Sequence, residues 1–251
     1  MRVGLIGAGN MASALARGWG DPVLCTDAIP GKAEALVAEL GGEVAGSNSE
    51  LAGAADVVFL CHKPDQLTVV AAQLEGNERE TTIVSILAGV PLDALRDAYP
   101  QASGVIRLMP NVAVEIGRGV ICLAAESDAS PRIAELLERI ATVVTVPERL
   151  IDVATAVMGA GPAYVSLFVE AQVDAAVRLG MPPALAVELA TATTEGSAAL
   201  LAARGHDTLG LRRSVTSPGG VTARGLAALE EGGLRAAFDA AAEAAVHGGR
   251  R

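Results

Sequence analysis

The sequence predicts an α/β protein in two parts: a doubly wound, mainly parallel sheet with its helices over residues 1–147, then an all-helical part over 148–251. Three observations predict it. Short β-rich runs alternate with helical stretches as far as Pro147, the pattern of parallel strands joined by crossover helices. A glycine-rich turn stands between the first strand and the first helix. Beyond Pro147 no convincing strand pattern is left, and apolar residues recur with a helical period.

Arg2 to Ile6 reads as the first strand, Asn10 to Trp19 as a helix, Pro22 to Thr26 as the second strand, and Lys32 to Leu40 as a helix that stops at Gly41-Gly42. Asp56 to Cys61 is a continuous apolar run, as expected of a strand buried on both faces. Strands Thr82 to Ile86, Val105 to Met109 and Val120 to Leu123 follow. Ser130 caps a helix that has Pro131 in its first turn, and Thr142 to Val146 closes the series. In the second part, Tyr164 to Leu179 is amphipathic, with Glu170, Asp174 and Arg178 on one face and Leu167, Phe168, Ala171 and Ala175 on another. Pro183 to Ala203 is almost entirely small or apolar, so it calls for burial, either within the chain or against a second copy through interlocked helices. Val221 to Val246 reads as two helices broken at Gly232-Gly233.

Composition narrows the partners. The formal charge is −10, with no clustered Lys and Arg to neutralise phosphates, which argues against nucleic acid. No window approaches eighteen uninterrupted apolar residues, so no membrane span is expected. The start runs straight into a strand with no leader pattern. Cys25, Cys61 and Cys122 are odd in number and scattered through apolar runs, which suits free thiols in a reducing cytoplasm. No metal-ligand spacing is present.

Gly7-Ala8-Gly9-Asn10-Met11-Ala12 matches the G-x-G-x-x-A pattern of dinucleotide binders in the context that gives the pattern meaning. Gly7 permits the tight turn, Gly9 lets the backbone approach a pyrophosphate, and Ala12 allows close packing of helix on strand. The helix start, with Asn10 and Met11, faces the phosphates. Asp27, eighteen residues past Gly9 at the end of the second strand, suits a ribose 2′-hydroxyl and leans toward NADH. Lys32 is the one nearby lysine that could reach a 2′-phosphate, so both NADH and NADPH stay open. Ligands bind beyond the carboxyl ends of strands in such sheets. Cys61, Lys63 and Pro64, then Ala88 and Gly89, then Asn111, follow three strands and are expected to rim one crevice. His62 is more readily structural than a ligand.

The most specific segment is Ser217-Pro218-Gly219-Gly220-Val221-Thr222, a turn entering a helix whose exposed amides can hold a carboxylate. The Thr222 hydroxyl either acts on a ligand or caps the helix. This stretch strongly resembles the signature of pyrroline-5-carboxylate reductases. The resemblance extends through Gly7 to Ala12, Ser47-Asn48, Val58 to Pro64, Ala88-Gly89-Val90, Ile106 to Asn111 and Gly159 to Tyr164. It implies a Rossmann domain followed by a helical dimerisation domain. It further implies cofactor contacts from Asn10, Met11, Asn48, Lys63 and Ala88, and imino-acid contacts from Ser217, Gly219, Gly220 and Thr222. The chain departs from the family pattern at Met158 and Ala160, where hydroxyl residues are usual. It departs again at Asp207 after His206, and at Ala28, where many NADPH users carry arginine.

The expected reaction is reduction of pyrroline-5-carboxylate to proline by NADPH or NADH, with Thr222 hydrogen-bonded to the imine nitrogen and the glycine amides and Ser217 on the carboxylate. A hydroxy-acid dehydrogenase is disfavoured because no lysine follows Lys63. A reductase of another cyclic imino acid and a noncatalytic nucleotide sensor are the alternatives. The substrate cradle speaks against the sensor.

Overall fold

A computed structural model of the chain describes residues 1–74, 76, 77 and 80–247. It divides into two compact units, Met1–Pro162 and Ala163–Arg251.

The first unit is built on one eight-stranded sheet: β1 (Val3–Ile6), β2 (Val23–Thr26), β3 (Gly42–Val44), β4 (Val57–Leu60), β5 (Thr82–Ser85), β6 (Gly104–Pro110), β7 (Gly119–Ala124) and β8 (Ala141–Val146), in the order β3-β2-β1-β4-β5-β6-β7-β8. Every neighbouring pair is parallel except β6 with β7. Helices α1 (Asn10–Trp19), α2 (Lys32–Leu40), α3 (Asn48–Ala54), α4 (Leu67–Leu74), α5 (Leu92–Ala98), α6 (Pro131–Glu138) and the short α7 (Ile151–Ala154) accompany it. The doubly wound fold expected from the alternation is therefore present.

Alternation within each apolar strand feeds two cores. Val57 and Phe59 of β4 pack with Leu15, Leu36 and Leu137 from α1, α2 and α6. Val58 and Leu60 pack with Leu51, Leu74 and Leu95 from α3, α4 and α5. A strand buried on both faces has no polar side to show, which is why its sequence reads as an unbroken apolar run. Each such side chain contributes roughly 1.5–3 kcal/mol on burial.

Helices α4, α5, α7 and Thr208–Ser214 were not individually anticipated, and two further elements bear on the sheet and the site. β3 is three residues long, exposed throughout, and starts at the glycine pair taken as a helix stop. α3 starts at Ser47, whose Oγ accepts the Glu50 amide at 3.1 Å. Ser130 precedes α6 in an N-cap position, but its side chain makes no capping hydrogen bond.

The second unit is helical among its described residues. α8 (Gly161–Arg178) begins just before its boundary and is followed by α9 (Pro183–Ala203), α10 (Thr208–Ser214), α11 (Val221–Glu231) and α12 (Leu234–His247). Tyr164 meets Phe238 edge to face, with ring centroids 6.5 Å apart. α8 has no buried residue, and α9 buries only Ala186 and Ala190. Of the two ways to cover the apolar α9, burial within the chain is thus not the one seen. Residues 148–178 form a helical run long and apolar enough to cross a membrane by length and composition alone, where the sequence reading had asked for an uninterrupted apolar stretch.

Candidate functional site

The carboxyl ends of β1, β4, β5 and β6 lie along one edge of the sheet because these strands are parallel neighbours. β1 leads into Gly7, whose amide bonds to the Thr26 carbonyl at 2.8 Å and whose φ is +105°. A Cβ at Gly7 would lie 2.8 Å from the carbonyl carbon and oxygen of Cys61, so both the dihedral and the space exclude other residues. Gly9 is the N-cap of α1 and makes no side-chain cap, which leaves the first-turn amides of Asn10 and Met11 without a side-chain acceptor. A Cβ at Gly9 would meet nothing within 4 Å, so that side is open to a ligand. Ala12 is buried where α1 packs on the sheet.

Asp27 sits just beyond β2. Its Oδ2 accepts the Ala8 amide at 2.7 Å, and its Oδ1 accepts the Ile29 amide at 2.7 Å. The carboxylate thus ties the glycine turn to the end of the second strand. Next to it, the Thr26 hydroxyl donates to Asn48 Oδ1 at 2.5 Å, and Asn48 Nδ2 donates to Gln73 Oε1 at 2.6 Å. Nothing local in the sequence marks Thr26 or Gln73; the packing of α3 on β2 brings the first to Asn48, and the pairing of α3 with α4 brings the second.

A cleft of about 540 Å³ joins these groups. Of the residues read from the sequence, Gly7, Gly9, Asp27, Asn48, Cys61 and Lys63 line it, together with Lys32 and His62. Asn10, Met11, Pro64, Ala88, Gly89 and Asn111 do not. Pro64 opens the turn after Lys63, and Ala88 and Gly89 are exposed in the turn after β5. Asn111 is buried: its Oδ1 accepts the Val120 amide and its Nδ2 donates to the Met158 carbonyl, both at 3.1 Å. That carbonyl belongs to a π-helical turn, Thr155–Gly159, in which the Ala160 amide reaches back to Thr155. The Met158 side chain packs against Met109, Cys122, Ala124 and Ile151, so its apolar character serves a small core.

His62 Nδ1 is 2.8 Å from the Lys63 carbonyl, which makes it the protonated nitrogen, and burial lowers the imidazole pKa. The thiols are held protonated. Burial, with help from the charges of Asp27 and Glu34, pushes Cys25 up to about 12, and burial also raises Cys61 and Cys122. Among the described residues no cluster of His, Cys, Asp or Glu is arranged to hold a metal ion.

The signature residues lie in the second unit. Gly219 has φ +65°, and the Gly220 amide closes the turn onto the Ser217 carbonyl at 3.0 Å. A Cβ on Gly220 would collide with Ser217 Oγ. Arg224 Nη1 donates to the Gly219 carbonyl at 2.6 Å and holds the turn against α11. Gly220 is the N-cap, Val221 the first helical residue and Thr222 the second. Thr222 is exposed, and among the described residues its hydroxyl has no hydrogen-bond partner. The cap position is Gly220, so the capping role open to Thr222 on sequence grounds does not apply. The result is an uncapped eleven-residue helix start with a free hydroxyl beside it.

Comparison with known proteins agrees with both halves of this picture. Residues 148–251 match the family described as pyrroline-5-carboxylate reductase dimerisation, and residues 2–89 match that described as NADP oxidoreductase, coenzyme F420-dependent. A pyrroline-5-carboxylate reductase from Synechocystis sp. is 36% identical over an alignment covering 98% of this chain and 96% of that one. One from Methanosarcina acetivorans is 35% identical, covering 94% and 92%. The crystal structure of a Plasmodium falciparum pyrroline carboxylate reductase with NADP bound superposes with a TM-score of 0.84 at 27% identity, covering 98% and 95% of the two chains. A pyrroline-5-carboxylate reductase from Coxiella burnetii gives 0.85 at 30% identity, covering 98% and 96%.

Proposed function

This chain belongs to the pyrroline-5-carboxylate reductase family, and from that premise we propose that it reduces 1-pyrroline-5-carboxylate to proline with NAD(P)H. One observation carries the reading: a single chain holds both a glycine cradle fit for a dinucleotide and an uncapped helix start with an unpaired threonine hydroxyl. The fit of the cradle rests on the open face of Gly9, the side-chain-free start of α1 and the cleft between Asp27 and Lys63.

When bound, the dihydronicotinamide supplies the hydride that the imine carbon accepts. Backbone amides from Gly9 to Met11 hold the pyrophosphate, Asp27 and Asn48 take the adenosine ribose, and Lys63, with Pro64 fixing the turn behind it, offers a positive charge. Ala88 and Gly89, at the end of β5, face the same edge of the sheet. Asn111 acts at one remove, by fixing the π-helical turn through Met158. In the second unit, the amides of Gly219 and Val221 and the Ser217 hydroxyl hold the carboxylate, while Gly220, its own amide turned onto the Ser217 carbonyl, lines the cradle with bare backbone. Thr222 donates a hydrogen bond to the imine nitrogen, drawing electron density from the carbon that is attacked.

The dinucleotide-binding part is taken to end at residue 147 and the dimerisation part to begin at 148. The protein is read as a homodimer formed through its C-terminal helices, working in the cytoplasm. The dimer reading rests on the uncovered apolar side chains of α8 and α9, among them Leu167 and Val187, 64% and 50% exposed. Residues 148–178 fall within the dimerisation family match, so their apolar face is assigned to a protein partner and not to lipid.

Steady-state assays with pyrroline-5-carboxylate, its six-membered homologue and hydroxy acids, each with NADH and NADPH, test the reading. Turnover with hydroxy acids and not with either imino acid would overturn it.

A further inference from the structure

The Plasmodium falciparum relative was solved with NADP bound. The geometry around Asp27 points the other way for this chain. We propose that this enzyme discriminates in favour of NADH, and that Asp27 is the discriminating residue because its carboxylate is locked in place by two backbone amides. The inference rests on the reductase reading above and names which nucleotide that site takes.

A carboxylate has about four acceptor positions. Two of those on Asp27 are filled, Oδ2 by the Ala8 amide and Oδ1 by the Ile29 amide, both at 2.7 Å. The remaining positions suit the two hydroxyls of an unphosphorylated ribose, which are donors. A 2′-phosphate carries about −1.5 to −2 charges and only acceptors. A free aspartate could swing away from it. Asp27 cannot do so without breaking both amide contacts, one of which holds the glycine turn itself. The carboxylate therefore meets the phosphate as a fixed negative charge, which is discrimination by repulsion as well as by attraction.

The surroundings do not compensate. Ala28, next along, has no charge to offer. Lys32 opens α2 and lines the cleft, but Glu34 lies in the same first helical turn. Glu34 and Asp27 together line the adjoining cavity of about 460 Å³ between β2 and α3. Across the two cavities Lys32 and Lys63 stand against Asp27, Glu34 and Asp65, so the lining is net negative before any phosphate arrives.

The test is titration of the full-length protein with NADH and with NADPH, read by nicotinamide fluorescence without imino acid. NADH is expected to bind about tenfold tighter or more at low salt, with the gap narrowing as salt screens the repulsion. Asp27→Asn removes the charge and, because its Nδ2 cannot accept, gives up one of the two amide contacts; it should shift the NADPH-to-NADH affinity ratio toward NADPH by about tenfold. Ala28→Arg leaves the amide contacts alone and should tighten NADPH without weakening NADH. Melting temperatures show whether each variant is folded, and if Asp27→Asn is not, Ala28→Arg and the salt series decide. Equal or tighter NADPH binding by the unaltered protein overturns the proposal. So does an Asp27→Asn variant that weakens both nucleotides by the same factor, since Asp27 would then only position the turn. Normal NADH binding with no turnover of pyrroline-5-carboxylate would count against the reductase reading and leave this inference standing.

Discussion

In the first unit Val57, Val58, Phe59 and Leu60 are all fully buried, alternately against one helical layer and the other. In the second, Leu167, Phe168, Leu185 and Val187 lie exposed on helices of comparable apolar content. One chain therefore contains a region whose hydrophobic pattern is satisfied by its own fold and a region whose pattern is not. The difference separates two uses of apolar sequence: it closes a core where crossover helices can fold back over a sheet, and it specifies a partner where they cannot.

The largest expected effect breaks the comparison at its base. Replacing Leu167 and Val187 together with glutamate should convert the proposed dimer to monomer at micromolar concentration. Each buried apolar side chain is worth about 1.5–3 kcal/mol, and a twofold interface counts each twice. Sedimentation velocity reads the mass. If the same variant keeps its NAD(P)H affinity, the first unit is self-sufficient as described; a dimer that survives both substitutions removes this surface from the interface.

Next in size is Thr222→Ala. The hydroxyl is unpartnered at the second residue of α11 and is not the cap, so its loss should leave the melting temperature nearly unchanged. Turnover should fall roughly a hundredfold, the usual worth of one donor to the reacting group. Nucleotide binding, which the proposed reading assigns to first-unit residues, should not move. A variant with lowered Tm and normal turnover would return Thr222 to a structural role.

Gly7→Ala tests the other unit. The φ of +105° and a Cβ position 2.8 Å from the Cys61 carbonyl carbon add strain of about 2 kcal/mol. Loss of stability in thermal melts should accompany loss of NAD(P)H binding, while the oligomeric mass stays as it was.

The two regions were also unequally legible. Helices α1, α2 and α9 fall at the residues expected, and the strands fall within one or two residues of theirs, because an apolar run between crossover helices leaves few alternatives. β3 was hidden because Gly42-Glu43-Val44 is exposed and pairs only through its backbone with β2. α3 was overlooked although Ser47 and Glu50 have capping-box spacing. The π-helical turn at Thr155–Gly159 lies just ahead of Pro162, which has no N–H to give the Met158 carbonyl, and Asn111 bonds that carbonyl instead. At the site, the glycine turn, Asp27 and Lys63 could be read from motif and strand-end position, whereas Asn48 came only through the family resemblance; all of them line one cleft. The double amide lock on Asp27 was not legible, because only the Ile29 contact is local and the Ala8 contact depends on how closely β1 and β2 end together.

The smallest expected effect lies at the junction where the sheet gives way to the helices of residues 148–162. The Arg107 side chain, 6% exposed on β6, bonds Glu148 at 2.8 Å and Asp152 at 3.1 Å. Glu148 also accepts the Leu92 amide at 2.5 Å. Burial alone would raise the Glu148 pKa, but the hydrogen bonds from Arg107 and Leu92 and the charges of Arg107 and Arg96 outweigh it and hold the carboxyl below its ordinary value of 4.5. A carboxyl lowered in the folded state contributes stability that is fully present above the unfolded value. That stability is lost as pH falls through the folded one, because the unfolded chain takes up its proton first. Glu148→Gln should therefore lower Tm at pH 7 by about 2–4 °C, the equivalent of roughly 1 kcal/mol for a domain of this size. The gap to the unaltered protein should close as the pH is taken below 4.5. This network lies wholly within the first unit, so the variant should keep the oligomeric mass of the unaltered protein. A Tm difference that persists unchanged down to pH 3 would show that the carboxylate's charge contributes nothing at this junction.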